Sequence, residues 1–127
     1  MSLNNKNILS LSKLKKTWFI DIDGTLLKHN NDLENKFDEI IPNSLEFLKT
    51  IENDIVILTT SRPKEFKDKT ENFLGLNKIK YDQIIYDLPY GERILINDNK
   101  ISGLITAYSI SLQRDSGIDA IVKLTDI

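Results

Sequence analysis

The stretch WFIDIDGTLL, Trp18 to Leu27, runs apolar, acid, apolar, acid and glycine before it returns to apolar residues. Its aromatic and β-branched start suits a covered strand, and Gly24 marks an abrupt turn after it. Two carboxylates, Asp21 and Asp23, therefore stand where a buried strand stops. A buried carboxylate is costly unless it is paired, hydrogen-bonded or bound to a metal. A second like charge beside it raises that cost. A positive group is expected between the two.

Working outward, strand patterns alternate with helical ones. TWFIDI (17–22) reads as a strand, and the polar KHNNDLENKFDE (28–39) as a loop. PNSLEFLKTIEN, from Pro42, places Leu45, Leu48 and Ile51 on one helical side. DIVILTT (54–60) is a nearly continuous apolar run, expected of a strand covered on both faces. A helix follows, with Ser61 as its cap, Pro63 in its first turn and Gly75 as its terminator. QIIYDL (83–88), RILIN (93–97) and LITAYSISL (104–112) are further strand candidates, the last following the Ser102–Gly103 turn signal. Residues 1–16 read as an arm or short helix, with Ile8, Leu11 and Leu14 at helix-like spacing; residues 17–127 read as a single domain. The alternation predicts an α/β fold with a mainly parallel sheet. Ligands of such sheets bind at the carboxyl ends of the strands.

Composition narrows the function. The net charge of −2 argues against a dedicated nucleic-acid binder, which carries a basic excess. The absence of cysteine excludes disulfides, thiolate metal sites and a cysteine nucleophile. No apolar run approaches the ~20 residues that cross a bilayer. MSLNNKNILSLSKLKK lacks the pattern of a signal peptide, so a cytoplasmic setting is expected.

The strand ends then supply a site. Asp21 and Asp23 end one strand, Thr59, Thr60 and Ser61 the next, and Asn97 and Asp98 a later one. Hard oxygen donors without cysteine or a nearby histidine suit Mg2+ better than zinc. Its charge would offset both carboxylates.

DIDGTL, followed by ILTTSRP and ILINDNK, resembles the haloacid dehalogenase-like (HAD) superfamily of aspartate-nucleophile phosphohydrolases, over roughly Thr17 to Leu112. The resemblance implies a three-layer α/β/α Rossmann-like core. It makes Asp21 the nucleophile and Asp23 the general acid/base, with Gly24 in the same phosphate-binding turn. Thr60 is the better match to the second-motif threonine, with Thr59 in reserve, and both are phosphate-binding candidates. Asp98, with Asn97 beside it, completes a metal set with Asp21 and Asp23. The implied activity is a Mg2+-dependent phosphomonoesterase working through an aspartyl phosphate.

Two positions depart from the family pattern. Asn97 stands where an acid is common, and Leu88 where a third-motif lysine is expected. Arg93, Lys80 and Lys78 are the candidates for the missing cation, Arg93 favoured by distance, with Arg62 and Lys64 further back. Neither Leu26–Asp54 nor Ser61–Leu88 has room for a cap domain. An open site suits a large substrate or a wall lent by a second subunit, so a homo-oligomer is expected, with the arm or the AIVKLTDI tail docking on the neighbour.

The expected substrate is a sugar phosphate or small polyol phosphate, because the TTSRP and YDLPYGERILINDNK stretches resemble small capless members tied to bacterial surface-carbohydrate (capsule) synthesis. Phosphatase action on a nucleic-acid or protein phosphate is one alternative, and a non-catalytic binding or regulatory module another. The blander readings are a plain Asp/Gly turn for Asp21–Gly24, turn chemistry for Asp98 and a solvated loop position for His29.

Overall fold

The computed structural model describes residues 7–29 and 37–126. Three strands, β2 (Thr17–Asp21), β3 (Ile55–Thr59) and β4 (Gln83–Ile85), form a parallel sheet in the order β2-β3-β4. Parallel neighbours need long crossovers. These carry α1 (Ser44–Thr50) between β2 and β3, and α2 (Lys67–Leu76) between β3 and β4.

The central position of β3 explains its unbroken apolar run, since Val56 and Leu58 are buried. They join Ile20, Ile22, Leu26, Leu27, Leu48, Ile51, Leu74 and Ile79 in one core, against which Trp18 and Phe47 pack edge to face at 5.7 Å. Two aspartates fasten the strand beginnings. Asp54 accepts the Lys16 amide (3.1 Å) and the Trp18 indole N–H (2.9 Å), and Asp82 accepts the Val56 amide (2.8 Å). With the amino ends tied this way, the functional groups gather at the other edge.

The helix boundaries follow local chemistry. Asn43 adopts the left-handed conformation (φ 74°) ahead of α1, which asparagine tolerates better than most residues. A 3-10 turn, Lys64–Phe66, leads into α2. The expected Ser61 cap is not made: its hydroxyl donates to the Pro89 carbonyl (3.4 Å), and Asp87 accepts the Lys64 amide (3.3 Å) instead. Gly75 lies inside α2, and the left-handed residue beyond the helix is Lys78 (φ 56°).

The chain divides into two compact units. One comprises the described residues of Lys15–Pro89 and Leu112–Ile118; the other comprises those of Met1–Leu14, Tyr90–Ser111 and Asp119–Ile127. In the second, β1 (Asn7–Ser12) pairs in parallel with β5 (Ala120–Thr125), Ile8 opposite Ile121. The helix-like spacing of Ile8, Leu11 and Leu14 is therefore overridden by an available strand partner. Ala120–Thr125 of the tail thus pairs with Asn7–Ser12 of the same chain.

RILIN (93–97) and LITAYSISL (104–112) are not strands. Ile94 and Ile96 are 82% and 88% exposed, and a β-prone run becomes a strand only where an edge pairs with it. The intervening chain folds on itself instead: the Lys100 amide donates to the Leu104 carbonyl (2.9 Å) around Gly103 (φ 93°). The Ser102–Gly103 signal thus marked a real turn.

The fold is α/β and Rossmann-like, with parallel sheets and, among the described residues, no cap domain. No helix among them is long and apolar enough to cross a membrane. Leu58→Ala should lower the unfolding free energy by about 2–5 kcal/mol in urea titrations, because it empties the centre of the core. Ile94→Ala should shift it by about 0.5 kcal/mol or less, and a loss matching that of Leu58→Ala would mean that 93–97 packs as a core strand.

Candidate active site

Asp21, Thr59 and Ile85 end the three strands and sit side by side, Asp21 in register with Thr59 and Thr59 with Ile85. The carboxyl edge of the sheet is therefore a row of known composition. Beyond it, the Ile22 amide still donates to the Thr59 carbonyl (3.0 Å), after which the chain coils tightly. The amides of Leu26 and Leu27 both donate to the Ile22 carbonyl, each at 3.0 Å, and the Gly24 amide donates to the Leu27 carbonyl at 2.7 Å. This coil needs Gly24 at φ 88°, a conformation that side chains disfavour. Thr25 donates its hydroxyl to Asp21 at 3.4 Å.

The second carboxylate is held from two sides. Asp23 accepts the Thr60 hydroxyl (2.9 Å) and the Arg62 Nε–H (3.0 and 3.2 Å to its two oxygens), and pairs with Arg62 Nη2 at 2.8 Å. The other side of the guanidinium meets Asp38, Nη2 to Oδ1 at 2.7 Å and Nη1 to Oδ2 at 3.2 Å, and Nη1 also donates to Thr70 at 2.9 Å. All five N–H groups of an arginine are thus engaged. The Arg62 and Asp38 side chains are each 2% exposed, against 19% for Asp23. Burial works against the arginine charge, but the bonds to Asp38 and Asp23 outweigh it and hold its pKa above the ordinary value. Arg62 thus brings a buried positive charge to Asp23.

Thr60 is fully buried, and its hydroxyl, while donating to Asp23, also accepts the Arg62 amide at 3.0 Å. Thr59 is the residue aligned with Asp21. Just beyond β4, Tyr86 donates to Glu71 at 2.9 Å; burial and this carboxylate push its pKa up, so it stays a protonated donor.

One unit therefore brings together Asp21, Asp23, Gly24, Thr59 and Thr60. Arg93, Asn97 and Asp98 belong to the other unit, on exposed chain. There Asn97 donates to the Thr106 carbonyl at 3.3 Å, and the Asp98 carbonyl accepts the Thr106 hydroxyl. Lys78 and Lys80 are exposed and come before Asp82, which is bonded at the start of β3, so they stand toward the amino edge. His29 gives its backbone N–H to Asp115 at 2.8 Å. Among the described residues, no three His, Cys, Asp or Glu side chains cluster as a metal site. The oxygen donors of Asp21 and Asp23 are nonetheless of the hard type that Mg2+ takes.

Sequence reasoning named Arg62 only as a remote candidate, and passed over Asp38 and Thr70. Asp38 lies in a polar stretch with no motif around it, so only its burial against Arg62 marks it. Replacing it with alanine leaves a buried guanidinium short of one carboxylate. Asp38→Ala should therefore cost about 3–5 kcal/mol of unfolding free energy, read by urea denaturation; a loss under about 1 kcal/mol, the range of surface pairs, would show that the pair is solvated.

No curated protein and no solved structure matches the chain. A family model described as haloacid dehalogenase-like hydrolase matches residues 18–115. The match begins in β2, takes in the Asp21–Gly24 turn and the Thr60–Arg62 segment, and ends just past Arg114. With well over half of its length matched, and with the motif residues assembled at the carboxyl edge of a parallel sheet, the chain belongs to the haloacid dehalogenase-like hydrolases.

Proposed function

We propose that the protein is a Mg2+-dependent phosphomonoesterase that acts through an aspartyl phosphate on Asp21. The observation that carries this reading is the pairing of Asp21, at the strand end beside Thr59, with an Asp23 oriented by Arg62 and Thr60. Asp21 attacks phosphorus, and the bond to the ester oxygen breaks. Asp23 gives a proton to the departing alkoxide and later takes one from the water that releases orthophosphate. Splitting a very slow hydrolysis into two displacements is the gain of a carboxylate nucleophile. Thr59, aligned with Asp21, supplies a hydroxyl beside the phosphoryl group, and Thr60 holds Asp23 in place. Asp21 and Asp23 would hold Mg2+; when bound, the ion offsets carboxylate charge against an incoming dianion.

Small sugar or polyol phosphates, in the setting of surface-carbohydrate synthesis, are the substrate class we favour. The acidic balance of the chain disfavours a nucleic-acid phosphate. Absence of a cap among the described residues supports either a broad small-molecule specificity or a second copy of the chain as the missing wall. A screen of phosphorylated metabolites, beside an aryl phosphate with and without Mg2+, tests the reading; no turnover of any of them would favour a non-catalytic module.

Asp21→Asn should leave less than about 1% of wild-type turnover with the thermal midpoint retained, since loss of a positioned nucleophile costs orders of magnitude. Residual activity near the wild-type level would remove Asp21 from the nucleophile role. Asp23→Asn should impair alkyl phosphates more than aryl phosphates, whose leaving groups need no proton. Equal losses would remove the acid role. Chelation by EDTA should stop turnover, and added Mg2+ should restore it.

A further inference from the structure

Arg62, the cation nearest to Asp23, has no donor left for a substrate. All five N–H groups of Arg62 are bonded and the side chain is buried. Lys28 is paired with Glu39 at 3.3 Å, and Lys78 and Lys80 stand toward the amino edge of the sheet. The carboxylates of Asp21 and Asp23 repel an anionic ester, so a side-chain cation at this turn would favour its binding.

The segment Leu112–Ile118 answers this need. It returns to the unit of the parallel sheet and forms a tight turn, with the Ser116 amide and hydroxyl both donating to the Gln113 carbonyl (3.2 and 2.6 Å). Two contacts clamp it to the acidic turn: the Asp115 amide donates to the Gly24 carbonyl (2.8 Å), and the Asp115 carboxylate accepts the His29 amide (2.8 Å). A third fixes its far side. A Cβ on Gly117 (φ 92°) would lie 2.8 Å from the Pro42 carbonyl oxygen, so the backbone there is pressed directly onto the entry to α1.

Immediately before these anchors in the chain, Arg114 lies across Gly24. A Cβ on that glycine would meet Arg114 Cγ at 3.1 Å, and Cδ and Nε at 3.8 Å. The bare glycine, next in sequence to Asp23, is thus the surface on which the arginine stem rests. Arg114 is itself exposed and has no hydrogen-bond or ion-pair partner among the described residues.

An exposed guanidinium resting against a turn of two carboxylates, held there by a clamped backbone and still lacking a partner, has the form of an anion receptor. We infer that Arg114 receives the phosphoryl group of the substrate, the role for which the sequence offered Arg93, Lys80 and Lys78. The inference rests on the phosphatase reading for its substrate, but phosphate binding is measurable without turnover. Arginine suits the task because its planar fork meets two phosphoryl oxygens at once.

The test compares wild type with Arg114→Ala and Arg114→Lys. Removing a charge-assisted, two-point contact should raise KM for an aryl phosphate and Ki for orthophosphate about tenfold or more. Because the contact serves ground state and transition state alike, kcat should change less than about threefold. Arg114→Lys should recover part of the loss. Orthophosphate should raise the thermal midpoint of the wild type but not of Arg114→Ala, and the midpoints without phosphate should agree because the side chain is exposed. Wild-type turnover with unchanged KM and Ki in Arg114→Ala would overturn the inference and leave the phosphatase reading standing. Arg114-dependent orthophosphate binding without turnover of any monoester would overturn that reading and uphold the anion site. A wild type that neither binds orthophosphate nor turns over any monoester would overturn both.

Discussion

The Arg62 guanidinium, shared between Asp38 and Asp23, is the interaction on which the rest of the site depends. It joins three stretches remote in sequence: the turn after β2, the chain entering α1 and the segment leaving β3. An isolated buried guanidinium would be intolerable, and the two carboxyl groups around it satisfy its donors. The asymmetry is informative. Asp38 is as buried as the arginine, whereas Asp23 keeps 19% of its side chain exposed, so one carboxylate anchors the cation and the other is presented by it.

That arrangement also separates the two threonines of ILTTSRP by role. Adjacent strand residues point to opposite faces. Thr60 joins the buried network through Asp23 and the Arg62 amide, while Thr59 lines up with Asp21 along the sheet edge. The better motif match, Thr60, is thus the hydroxyl taken up in the buried network, and the reserve choice, Thr59, is the one aligned with Asp21.

The parts of the fold that were legible in the sequence are those decided locally. The TWFIDI and DIVILTT strands, the helices after Pro42 and Pro63, and the turns at Gly24 and Gly103 follow from periodicity and backbone preference. Those that were not legible depend on partners distant in the chain. Ile8, Leu11 and Leu14 carry a helical spacing, yet Asn7–Ser12 is a strand because Ala120–Thr125 lies beside it. RILIN has every local mark of a strand and lacks only an edge to pair with among the described residues. In the site, Asp21, Asp23 and Thr60 announce themselves by motif, but Asp38 and Arg114 do not, since one acts through burial and the other through a glycine it lies against.

The two arginines of this unit illustrate how environment assigns function to one residue type. Arg62 is bonded at every donor, which makes it an excellent brace and leaves nothing for a ligand. Arg114 adjoins the clamped backbone at Asp115 and rests its stem beside Gly24, with its head group open. Preorganisation of that kind lowers the entropy lost when an anion binds, because the side chain is already directed along the turn. Gly24 serves both ends of the arrangement: its left-handed backbone shapes the acidic coil, and its missing side chain gives the arginine a place to lie. A single residue without a side chain thereby joins the turn of the two aspartates to an arginine from a distant stretch of chain.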